Sequence, residues 1–74
     1  MEKRFGLKVW YHGTADEGLD TLIKSYAAPG IWWAQGYDFG EDVRDIAFDF
    51  KDEIARDMAI VGFESIKGVH TETR

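Results

Sequence analysis

Residues 5 to 12 alternate, with Phe5, Leu7, Val9 and Tyr11 on one side of an extended chain and Gly6, Lys8, Trp10 and His12 on the other. This period of two predicts a first strand. At Thr14 the pattern changes. Thr14-Ala15-Asp16-Glu17 has the form of a capping box, in which a hydroxyl and a carboxylate each satisfy an orphan backbone N–H. Leu19, Leu22, Ile23 and Tyr26 follow at helical spacing, so a first helix is expected from about 15 to 27, stopping before Pro29-Gly30. Ile31-Trp32-Trp33-Ala34, a short β-branched and aromatic run between glycines, predicts a second strand, and residues 36 to 40 a loop.

Val43, Ile46, Ala47, Phe50, Ile54 and Met58 fall within about 120° when projected at 100° per residue, which predicts a second amphipathic helix over 41 to 58. Residues 59 to 67 place Ile60 and Ile66 on one face and Val61 and Phe63 on the other, a third strand. The polar end from 69 to 74 is expected to fray. The expected architecture is therefore an α+β single small domain over residues 1–74, in β-α-β-α-β order, with a three-stranded sheet and two helices.

A chain of 74 residues, 45% hydrophobic and 15% aromatic, can fill one core but not two. It has no cysteine, which removes disulfides and thiolate metal sites and fits a reducing compartment. Neither a membrane-length apolar run nor a signal-type segment after Met1-Glu2-Lys3-Arg4 is present, so a cytoplasmic location is expected. Fourteen acidic against nine basic residues give a formal charge of −5. Direct binding to nucleic acid or to an anionic membrane is disfavoured, and a basic protein surface is the expected partner.

The charge is concentrated. Residues 38 to 57 hold eight acids and three bases, and the remainder of the chain is neutral. On the predicted second helix Asp42, Asp45, Asp49, Asp52 and Glu53 are linked by steps of three or four along a face opposite the apolar arc. Like charges so spaced oppose helix formation by a few tenths of a kcal/mol per pair, which leaves either a solvated face or a row suited to a groove that holds phosphates. Trp32 and Trp33, adjacent on a strand, must face opposite sides, so one of them is a candidate interface anchor.

Tyr11-His12-Gly13-Thr14 ends the first strand and leads through a helix to Gly30-Ile31-Trp32-Trp33-Ala34. Over residues 9–50 this resembles the opening of the ADP-ribosyltransferase fold. The resemblance implies a pocket for NAD, with His12 at the ribose, Gly13 at the nicotinamide amide, and Trp32 or Trp33, where that family usually has Tyr, stacked on the nicotinamide. The family also needs a later strand with a catalytic glutamate, expected beyond residue 74; Glu64, the acidic residue on the third predicted strand, does not match that motif, so no catalytic residue is assigned. Other catalytic templates lack their residues: no cysteine nucleophile, no His-x-x-x-His, no calcium loop and no phosphate-binding loop. In size, acidity and lack of cysteine the chain is also similar to small phage-encoded inhibitors, anti-CRISPR proteins among them. The leading expectation is a non-enzymatic inhibitor or binding domain, without cofactor, that docks its acidic helix on the basic, nucleic-acid-binding surface of a larger protein. A minimal or degenerate NAD-pocket protein is the alternative.

Overall fold

The computed structural model describes residues 4–28 and 30–74, and the expectations resting on Met1 to Lys3 and on Pro29 lie outside the described residues. The elements are β1 (Phe5–His12), α1 (Glu17–Ala27), β2 (Ile31–Asp38), β3 (Val43–Phe50), α2 (Glu53–Glu64) and β4 (His70–Thr73). The four strands form one antiparallel sheet in the order β2-β3-β1-β4. Element order and strand order together are those of the ferredoxin-like split β-α-β arrangement.

The expected three-stranded sheet in β-α-β-α-β order is thereby corrected. The second helix does not run over 41 to 58, because residues 43 to 50 are β3 and α2 begins only at Glu53. Both periods fit the apolar residues of this stretch, but the helical one leaves Phe48 among the acids. As a strand, Arg44, Ile46, Phe48 and Phe50 share the covered face and Val43, Asp45, Ala47 and Asp49 the other. Phe48 is almost completely buried, so the alternation that internalises it prevails. Of the third strand expected over 59 to 67, residues 59 to 64 are the second half of α2, where Ala59 and Phe63, one turn apart, are buried, and residues 65 to 67 belong to the turn after it. The end expected to fray supplies β4, paired to β1 from His70↔Trp10 to Thr73↔Leu7.

The first half of the chain folds closer to its pattern. β1 occupies residues 5 to 12, with Leu7, Val9 and Tyr11 buried. The cap of α1 is Asp16 rather than Thr14: its Oδ1 accepts the Leu19 amide at 3.0 Å, and the helix begins two residues later than expected. β2 extends past Ala34 to Asp38, taking in part of the expected loop, with a register shift between Trp32 and Ala34.

Both helices lie on one face of the sheet. The core between the layers joins Leu7, Val9, Ile46, Phe48 and Phe50 to Ile23, Ala27, Ala59 and Phe63. Gly30 is required where the chain enters β2, because a Cβ there would stand 2.6 Å from the Phe50 ring. Among the described residues the other face has no layer over it, as antiparallel sheets permit.

Candidate docking surface at the hairpin end of the sheet

The turn between β2 and β3 and the loop between β1 and α1 lie at the same end of the sheet. Val43 pairs with both His12 and Asp38, and the Gly13 amide donates to the Asp42 carbonyl at 2.8 Å. Gly13 has φ +108°, a conformation a side chain would strain. Residues 38 to 42 form a braced turn. The Asp38 Oδ1 accepts the amides of Gly40 at 2.8 Å and Glu41 at 3.2 Å, and the Tyr37 hydroxyl donates to the Asp42 carboxylate. Asp42 itself is left-handed, φ 56°, which aspartate tolerates better than most residues.

Phe39 stands at the apex. It is 88% exposed and meets the Tyr37 ring edge-on with centroids 4.8 Å apart. Around it the two loops carry Asp16, Glu17, Asp38, Glu41 and Asp42, with no base in residues 13–17 or 38–42. At the same end Glu64, closing α2, and Lys67 beyond it cancel. The result is an exposed phenyl ring rimmed by carboxylates.

A buried polar cluster fixes this end to the core. The Tyr11 hydroxyl donates to Asp20 Oδ1 at 2.6 Å and accepts the Asp16 amide at 2.9 Å. Arg44 reaches Asp20 Oδ2 through Nη2 at 2.9 Å and Nε at 3.3 Å, and its Nη1 donates to the Gly36 carbonyl at 3.2 Å. Four elements are thus tied by side chains from three of them. Burial by itself would raise the Asp20 pKa, but hydrogen bonds from Arg44 and Tyr11 and the guanidinium charge outweigh it and hold the carboxyl below its ordinary value. Burial, and then the hydrogen bond to a carboxylate, push the Tyr11 hydroxyl up. Among the described residues every buried side-chain nitrogen and oxygen has a partner, which a charged cluster in a small core requires.

The residues expected to bind a partner are dispersed by the fold. Asp42 belongs to the hairpin turn, whereas Asp45 and Asp49 lie on the uncovered face, about 13 Å apart along β3. Asp52 caps α2 by accepting the Ile54 amide at 2.8 Å, and Glu53 pairs with Arg56 at 3.6 Å. No single helix face carries these five carboxylates. Trp32 points to the helix layer, its ring under Lys24 Nζ at 4.6 Å, and Trp33 to the uncovered face, under the Arg74 guanidinium at 5.8 Å.

His12 is exposed on the uncovered face, where Trp10 stacks on His70 at 4.4 Å and meets His12 edge-on at 5.5 Å. His12 and Gly13 are at the hairpin end, while Trp32 and Trp33 are near the start of β2, about 15 Å further along the sheet. β3 separates β1 from β2, so the structure does not bring these residues into one cleft. Glu64 closes α2 instead of lying on a strand. Among the described residues no three histidine or acidic side chains are grouped to hold a metal ion.

Searches among family models, curated proteins and solved structures find no match to this chain.

Sequence reasoning missed Phe39. The signal was present, since a phenylalanine between Asp38 and Gly40 in a segment expected to be a loop has no strand or helix face on which to be buried.

Proposed function

We propose that the chain is a non-enzymatic binding domain that docks its acidic hairpin end on a basic surface of a larger protein, of the kind that otherwise holds nucleic-acid phosphates. Phe39 is the single observation that carries this reading. A phenyl ring 88% exposed on a turn held by three side-chain hydrogen bonds, with its edge-on contact to Tyr37, adds little to the core, and it supplies an apolar anchor at the centre of a charged rim. The rim provides long-range attraction to a basic groove, and the bracing lowers the entropy lost on docking. The role first expected of an acidic helix is taken here by two loops. An inhibitor that occupies the groove in place of nucleic acid is the form of activity that this chemistry supports.

The test is differential capture from a bacterial cell lysate at low salt. Wild type is compared with a triple variant, Glu17→Gln, Phe39→Ser and Glu41→Gln, which spares the structural carboxylates Asp16 and Asp38. The expected result is a basic protein retained by the wild type, released by salt, and lost by the variant. Retention of the same proteins by both would refute the assignment of this surface.

A further inference from the structure

The helix layer has a second surface that the hairpin end does not use. Projected at 100° per residue, the outward side of α2 divides into two ridges. Ile54, Met58 and Val61, spaced i, i+4, i+7, form an apolar ridge and are 69%, 70% and 66% exposed. Glu53 and Asp57 form an acidic ridge beside it, and Glu64, offset by Lys67, ends it. Across a shallow depression of about 280 Å³, lined on the α2 side by Ala55, Met58 and Ala59, stands α1, which contributes the half-exposed Tyr26, with the half-exposed Leu22 one turn earlier on that helix. Tyr26 leans over Gly62, where a Cβ would approach its ring to 3.3 Å, and stacks on Phe63. Placing three large apolar side chains at successive turns on the solvent side of a helix opposes solubility, and their exposure adds little to the core.

We infer that this groove receives an amphipathic helix whose apolar face is flanked by lysine or arginine. The spacing of the ridge matches the anchors of helix-in-groove recognition, and the charge beside it selects the occupant. Arg56 offsets part of that charge through Asp57 at 3.0 Å and Glu53 at 3.6 Å, but its side chain is mostly buried, so the ridge facing an incoming helix is acidic. A second copy of this chain packed through antiparallel α2 helices fits poorly. Two α2 helices packed antiparallel would run acidic ridge along acidic ridge, which is unfavourable.

The probe is a synthetic peptide of about 18 residues, roughly five helical turns, with leucine on one face and lysine on the other. Its counterpart carries glutamate in place of lysine. Backbone amide shifts and calorimetric affinity are measured for wild type, for Met58→Ser with Val61→Ser, and for Phe39→Ser. These three positions are exposed, so the variants retain the fold. The lysine peptide should bind wild type with shifts along α2 and the end of α1, bind the Met58 and Val61 variant roughly tenfold or more weakly, and bind the Phe39 variant unchanged. The glutamate peptide should not bind. The inference is overturned if the lysine peptide does not bind, if it binds the Met58 and Val61 variant as tightly as wild type, or if its shifts fall only on the hairpin end. It is equally overturned if sedimentation shows a dimer that this variant dissociates. The Phe39 variant separates failure here from failure of the hairpin docking surface.

Discussion

Two tyrosine–aspartate hydrogen bonds anchor opposite kinds of structure. Tyr11 and Asp20 are buried beneath the helix layer with Arg44, while Tyr37 and Asp42 meet in solvent at the hairpin turn. The chemistry is the same and the consequence differs. In the interior, removing one partner leaves a polar group unable to return to water, so each member holds the others in place. At the turn, water replaces a lost partner, and the bond shapes the loop without holding the domain together. The domain thus keeps inside the polar joint on which its stability depends, and at the turn one that fixes only the loop.

The largest separation between the two should come from Arg44→Ala. It strands the buried Asp20 carboxylate and should cost about 3–5 kcal/mol by urea unfolding, a large share of the stability of a small domain. A loss below 1 kcal/mol would mean that water reaches the cluster. Tyr11→Phe removes one donor to Asp20 and the acceptor of the Asp16 amide, with an expected loss of about 1–3 kcal/mol.

The same cluster predicts a pH profile. The folded Asp20 pKa is depressed, so its contribution is fully present above the unfolded carboxyl value of about 3.9 and disappears as pH falls through the lower folded value. The folded Tyr11 pKa is raised, so its contribution is present below about 10 and disappears as pH rises through the higher folded value. Asp20→Asn should flatten the acid limb of a melting-temperature profile, and an unchanged limb would move the origin of that limb elsewhere. The smallest effect belongs to Tyr37→Phe, which should leave the melting temperature in place while amide exchange at Gly40 and Glu41 accelerates. A fall in melting temperature comparable with that of Tyr11→Phe would erase the distinction between the two pairs.

The legibility of the sequence follows the range of the interactions. β1 and α1 were readable because alternation and capping are local, and the shift of the cap from Thr14 to Asp16 is a choice between two suitable residues in one loop. Residues 43 to 50 were not, since Ile46, Ala47 and Phe50 suit a helix as well as a strand, and pairing with β1 and β2 decides the matter across the fold. The acidic row dissolved with that helix, although the concentration of charge around residues 38 to 42 survives at the hairpin turn. Asp20 and Arg44, 24 residues apart, gave no local sign of contact, because only the packed layers bring α1 over the start of β3.

The most direct test of the central claim is the affinity for the captured partner as a function of salt, with the partner's nucleic acid as competitor. Screening lengths fall from about 30 Å at 0.01 M to about 10 Å at 0.1 M. Wild-type affinity should fall steeply over that range, the variant combining Glu17→Gln, Phe39→Ser and Glu41→Gln should bind weakly with a shallower slope, and nucleic acid should compete with the wild type. Affinity that ignores salt and the triple substitution, with nucleic acid bound alongside, would contradict docking through the acidic hairpin end.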